Sequence, residues 1–247
     1  MRPPSSRNRE QKQSKADGIF AVVGWASIKE YVANCPERIE KIVCNPTIIA
    51  QLKIDVKAVT NIKLSVIEDV AENSICAYVR LEAKAEDDFF VAIKTRTPSI
   101  IVALDHVMDP HNLGAIVRTC AFFGVTDVIA PKDRQVLLSP ASVKVSQGGF
   151  SRTSLWAVTN LGRVVRELKK QGYWIVGTHV DSESFEKIPK KLDRVVVLMG
   201  SEEKGLSQGL LKECDFRATI FSGKQKLESL NVSVAAGIFL HYFCELY

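Results

Sequence analysis

Residues 100–130 read Ile100-Ile-Val-Ala-Leu-Asp-His-Val-Met-Asp109, Pro110-His-Asn-Leu-Gly-Ala-Ile-Val-Arg-Thr-Cys-Ala-Phe-Phe123 and Gly124-Val-Thr-Asp-Val-Ile-Ala130. The apolar run Ile100–Leu104 has the length and β-branched content of a strand buried on both faces. A polar loop follows it, and a helix is expected from about Asn112 until Gly124 stops it. Val125–Ala130 is then a second strand. A strand, a helix and a strand in so short a stretch form a βαβ unit, which requires parallel strands.

The same alternation continues downstream. Leu161, Val164, Val165 and Leu168 mark one apolar helical face, opened by Thr159 or Asn160 and closed by Gly172. Tyr173–Thr178 and Arg194–Met199 are further strands, and Asn231–Phe243 is a closing helix. The fold class is therefore α/β, a mainly parallel sheet covered on both faces. Upstream, strand-like runs at Ile19–Val23, Lys41–Cys44 and Ser74–Leu81, with a helix near Ile28–Asn34, suggest a small separate α/β module. Thr95-Arg-Thr-Pro-Ser99 reads as a linker. The expected division is a basic, disordered tail at 1–16, a module at 17–95 and a larger domain at 96–247, with no internal repeat.

Composition narrows the function classes. At 247 residues, 46% hydrophobic and 25% charged, the chain can bury a core and is not disordered or fibrous overall. No uncharged run is apolar enough to span a membrane, and no apolar segment follows the basic N-terminal residues, so the expected location is the cytoplasm. The net charge of +5 is unevenly placed. Arg2, Arg7, Arg9, Lys12 and Lys15 face only Glu10 in the tail, and eleven Lys/Arg stand against five Asp/Glu between Lys132 and Lys191. Such clusters suit a polyanion such as RNA or DNA, or else are solvated surface. The six cysteines form no C-x-x-C and the four histidines no H-x-x-x-H, so no metal site is expected and the thiols read as reduced core residues.

Three segments place polar residues where a plain core would not. Asn112 falls beyond the carboxyl end of a strand, where open α/β sheets bind ligands, although it could be only a helix cap. Arg118 is the sole charged residue between Asp109 and Asp127, and so apolar a helix implies a buried arginine that needs a partner. Gly200-Ser-Glu-Glu-Lys-Gly205 follows a strongly apolar strand. It is not a phosphate-binding P-loop, since Leu206 stands at the lysine position and two carboxylates occupy the turn. No G-x-G-x-x-G occurs anywhere. Ser229-Leu-Asn231 opens a helix whose Phe239, Tyr242 and Phe243 suit burial or a subunit contact.

In this order, Asp109-Pro-His-Asn-Leu-Gly-Ala-Ile-Val-Arg118, Gly200-Ser-Glu-Glu-Lys-Gly205 and Ser229-Leu-Asn-Val-Ser-Val-Ala235 resemble the motifs of the SpoU/TrmH group of SPOUT methyltransferases. Val128–Asp133, Val158–Leu161 and Trp174–Thr178 match as well, so the resemblance spans about residues 98–244. It implies an α/β fold whose C-terminal segment threads a trefoil knot, S-adenosyl-L-methionine bound there as cofactor, and a homodimer with composite active sites. The implied reaction is methyl transfer to a ribose 2′-hydroxyl of RNA, with 23S rRNA guanosine favoured. The alternatives are tRNA 2′-O-methylation or a non-catalytic RNA-binding, ribosome-assembly factor of the same fold.

Carried over position by position, the resemblance assigns Asn112, Arg118, Glu202, Ser229 and Asn231 to catalysis, and Thr178, Gly200, Ile220 and Leu230 to the cofactor. A guanidinium, with a pKa above about 12, is a poor base. Arg118 is therefore expected to clamp a phosphate and stabilise the forming alkoxide, from the partner subunit. Residues 17–95 sit where many members carry an L30e-like RNA-binding module, and Gly24-Trp-Ala-Ser-Ile28 resembles its G-x-H-A-V opening. The chain departs from the pattern in the longer Ile220–Ser229 loop, with Phe221 for proline, and in Gly148-Gly-Phe-Ser151 where G-A-A-E is common.

Overall fold

The computed structural model describes residues 18–45, 48, 63–66, 75–94, 99–133, 137–184, 187–189, 192–220 and 229–244. The expected basic tail and residues 95–98 of the expected linker lie outside them. The N-terminal part runs β1 (Ile19–Val23), α1 (Trp25–Asn34), β2 (Ile39–Cys44), β3 (Lys63–Val66) and β4 (Ile75–Arg80). Its four strands lie in the order β1-β4-β2-β3, with β4 antiparallel to both neighbours and β3 parallel to β2. Gly24 opens α1 at a φ of 94°, a conformation a residue with a Cβ seldom adopts.

The chain then continues through β5 (Lys84–Ala85), α2 (Glu86–Ile93), β6 (Ser99–Leu104), α3 (Pro110–Phe122), β7 (Asp127–Pro131), α4 (Pro140–Ser146), β8 (Ser154–Val158), α5 (Leu161–Lys170), β9 (Trp174–Ser184), β10 (Arg194–Met199), α6 (Gln208–Glu213), β11 (Phe216–Thr219) and α7 (Val232–Cys244). A seven-stranded sheet has the order β11-β9-β10-β6-β7-β8-β5, and all of its pairs are parallel. The expected α/β class and parallel sheet are thus present. The change from one sheet to the other comes before Lys84, inside the stretch expected to belong to the N-terminal module. There β5 pairs with β8, and Phe89 and Ile93 of α2 pack among Ile101, Ile129 and Trp156.

Alternation along the strands feeds two apolar layers. Val102 and Leu104 face Leu113, Ile116 and Val117 of α3 and Phe239 and Leu240 of α7. Ile101 and Ala103 face the opposite layer, with Leu161, Val164, Val165 and Leu168 of α5. Each such side chain contributes about 1.5–3 kcal/mol by leaving water, before the entropy cost of ordering it. Strand order reverses between β6 and β10, so a crevice opens beyond their carboxyl ends.

Candidate active site

The polar cluster stands at that reversal. Asp109 caps α3 by accepting from the His111 N–H at 2.8 Å, and Pro110 takes the first helical position, where no N–H is needed. Asp109 thus takes the capping role the sequence left open for Asn112. Freed of it, Asn112 turns inward from the first turn and is 7% exposed.

The loop after β10 closes on itself. Ser201 and Gly205 exchange two main-chain hydrogen bonds, 2.9 and 3.2 Å, and the Ser201 hydroxyl accepts from the Lys204 N–H at 3.1 Å. A Cβ on Gly200 would overlap the main chain of Gly205 and Leu206. This tight closure holds Glu202 at the tip.

Asn231, just ahead of α7, accepts from the Ser233 N–H at 2.9 Å through Oδ1. An N–H can only donate, so this bond fixes the orientation of the Asn231 amide. Its Nδ2 then donates to Glu202 Oε1 at 2.7 Å and to Asn112 Oδ1 at 2.9 Å. Asn112 Nδ2 in turn donates to the same Glu202 oxygen at 3.2 Å. Residues 112, 202 and 231 thus form one directed network that ends on a carboxylate. Glu202 Oε2 has no partner among the described residues, so it can accept from a hydroxyl.

The other two catalytic candidates stand apart. Arg118 is exposed, contrary to the buried, paired arginine expected from its apolar helix, and it makes no ion pair with a described residue. The apolar face of α3 is Leu113, Ile116, Val117 and Cys120, and position 118 falls on the opposite side of the helix. Ser229 is exposed, and its side chain makes no hydrogen bond to a described residue.

The cofactor candidates come from within β9 and from the segments that follow β10 and β11. Thr178 donates to the Leu198 carbonyl at 3.1 Å, Gly200 follows β10, Ile220 follows β11 and is half-buried, and Leu230 is 43% exposed. The rest of the loop, residues 221–228, including the departure at Phe221 and the path on which a knot would depend, lies outside the described residues. Among the described residues, no group of three or more His, Cys, Asp or Glu could hold a metal ion, and no helix is long and apolar enough to cross a membrane.

Two residues escaped the sequence reading. Asp105, 3% exposed, follows β6 and accepts from the Ser207 N–H at 2.8 Å, while its own N–H reaches the Met199 carbonyl at 2.8 Å. It ties the end of β6 to both ends of the Glu202 loop. His106 sits at a φ of 60°, unusual for a residue with a Cβ, with Nδ1 2.6 Å from Asp105 Oδ1. An aspartate just past a central strand was the available signal, but its partners lie about a hundred residues away.

A family model described as "SpoU rRNA Methylase family" matches residues 99–241. Over 148 residues the chain is 45% identical to a 23S rRNA (guanosine-2′-O-)-methyltransferase RlmB of Coxiella burnetii, covering 60% of this chain and 59% of that protein. The matched stretch therefore spans less than two thirds of that relative's length. A putative TrmH family tRNA/rRNA methyltransferase of Staphylococcus saprophyticus is 33% identical over 235 residues, 90% of this chain and 94% of the relative. Among solved structures, the SpoU methyltransferase AviRb of Streptomyces viridochromogenes with its cofactor AdoMet superposes with a TM-score of 0.76 at 19% identity, over 98% of both chains. At that identity the likeness concerns the fold alone.

Proposed function

The chain belongs to the SpoU rRNA Methylase family, and on that premise we propose that it methylates a ribose 2′-hydroxyl of RNA with S-adenosyl-L-methionine as donor. We take a guanosine of 23S rRNA as the substrate, following the Coxiella relative, and the cytoplasm as the place of action. The observation that carries the reading is the Asn112–Glu202–Asn231 network at the carboxyl edge of a parallel sheet.

The residues at the sheet edge fit a nucleoside cofactor. Gly200 leaves main chain rather than side chain on one wall, and Ile220 and the exposed Leu230 supply apolar surface. Main-chain groups of Gly200, Ile220 and Leu230 would hold the cofactor, with Thr178 beside them. When bound, it supplies a methyl group already activated by a sulfonium. What remains for the protein is to orient the hydroxyl and accommodate its proton. Glu202, steered by both amides, presents its free oxygen for that purpose. Arg118 is exposed and outside this network; in a homodimer the partner subunit's Arg118 would clamp a phosphate and stabilise the developing alkoxide. Exposed Phe122 on α3 and Val234 on α7, 82% and 52%, provide apolar surface for that dimer. In this reading residues 17–95 are the L30e-like RNA-binding module, and the C-terminal segment is knotted around the cofactor.

The test is transfer of labelled methyl from S-adenosylmethionine to separated, unmodified large rRNA, small rRNA and tRNA. Label in large rRNA, lowered about 100-fold or more by Asn112→Ala, is expected, the scale of a lost positioning group. Label in tRNA alone would reassign the substrate. Cofactor binding with no label in any RNA or in ribosomal precursor particles would leave a non-catalytic RNA-binding factor.

A further inference from the structure

Helix α5 is the most basic element in the sequence, yet its face is electrically balanced. Arg163 pairs with the buried Glu86, Arg166 with Glu213 at 3.2 Å, Lys169 with Asp215 at 2.7 Å and Lys170 with Glu167 at 2.7 Å. Four cations stand against four carboxylates, so a polyanion approaching this face meets repulsion as often as attraction. Affinity for nucleic acid comes largely from counterions released when cations take up phosphates. A lysine already neutralised by the protein's own carboxylate has little of that to give.

The crossing of α3 and α4 differs. Arg118 and Lys144 are both exposed there, and neither pairs with a described residue. The helices meet closely because Gly114, one turn before Arg118, has no Cβ to strike the Ser142 carbonyl oxygen, which would lie at 2.5 Å. Gly149 is seated on the Arg118 main chain, where a Cβ would come within 3.1 Å of Arg118 Cα. Its neighbour Gly148 abuts Ser27 and Glu30 of α1. Arg152 pairs with Glu30 at 2.7 Å across the same contact. On α1, exposed Lys29 adjoins Glu30, with its ammonium 5.0 Å over the Trp25 ring. The N-terminal part therefore meets the larger sheet's helices along a seam bordered by α1, α3 and α4, and these three helices carry the exposed Lys29, Arg118 and Lys144.

We propose that the RNA backbone lies along this seam, with Lys29, Lys144 and Arg118 as phosphate contacts, and leaves the α5 face free. The inference rests on the reading of the chain as an RNA-modifying protein and narrows it to one surface.

The experiment is equilibrium binding of an unmodified large-subunit rRNA transcript across a range of KCl concentrations. Wild type is compared with Lys29→Ala, Lys144→Ala and the double variant Lys169→Ala/Lys170→Ala. Lys29→Ala and Lys144→Ala should each weaken binding and flatten the plot of log affinity against log salt by about 0.7–0.9, the contribution of one phosphate. The α5 double variant should keep the wild-type slope. An unchanged slope for Lys144→Ala, or an equal loss in the α5 variant, overturns the proposal. Calorimetry with S-adenosylmethionine separates the two levels. Cofactor binding with unaltered slopes sinks the surface alone, whereas a wild type that binds neither cofactor nor RNA removes the methyltransferase reading too.

Discussion

Asp105 shows how much one buried carboxylate can organise. Both of its oxygens are engaged, one by His106 and one by the Ser207 N–H, and the second bond anchors the loop that carries Glu202. Removing a buried hydrogen-bond acceptor costs about 1–3 kcal/mol because its donors are left without partners. Asp105→Ala should therefore lower the melting temperature by several degrees, at about 2–4 °C per kcal/mol for a chain of this size. It should also reduce methyl transfer by loosening Glu202, and Asp105→Asn should recover part of the stability. A melting temperature equal to wild type in Asp105→Ala would show that the loop needs no such tie. At this scale the sequence was partly legible. Asn112, Glu202 and Asn231 could be singled out because each is polar at a sheet edge or helix start. Asp105 could not, since its importance lies in partners remote along the chain, and His106 is drawn in only through Asp105. Arg118 misled, because an apolar helix does not make every position on it buried.

At the level of elements, the close approach of α3 to α4 depends on Gly114. Alanine is the better helix former by about 1 kcal/mol, so propensity alone predicts that Gly114→Ala stabilises α3. A Cβ there would lie 2.5 Å from the Ser142 carbonyl oxygen and 2.8 Å from Val145 Cβ, and overpacking of that kind costs about 1–3 kcal/mol. The clash should win, and denaturant titration should give a lower midpoint for Gly114→Ala; a higher one would mean that the helices can separate at no cost. Elements with strong periodicity were readable, α5 and β10 among them. Shorter ones, such as β5, α6 and β11, carry two to six residues each and too little pattern to distinguish strand, helix or loop. Helix α2 was also missed, although Glu86, Asp87 and Asp88 in its first turn favour a helix start.

Across the whole molecule, burial sets the response to alkali. All six cysteines are free, and burial raises every thiol pKa, to about 11 for Cys35, Cys214 and Cys244. Burial raises that of the Tyr31 hydroxyl as well, a group with no hydrogen-bond partner among the described residues. A folded-state pKa above the unfolded value favours folding while the group is neutral in both states. That contribution is complete below about pH 9 and is lost as pH climbs toward 11. Unfolding by urea should need less denaturant at pH 10.5 than at pH 8, and equal midpoints would count against thiol burial. The sequence by itself determined the α/β class, the parallel strands and the three motifs, because these depend on local periodicity and on residue types close together in the chain. Only the tertiary structure decided which polar residues meet, where one sheet gives way to the other, and which basic residues remain unpaired. Those outcomes depend on contacts between residues far apart in the chain, and neither composition nor spacing specifies which carboxylate a given lysine will find.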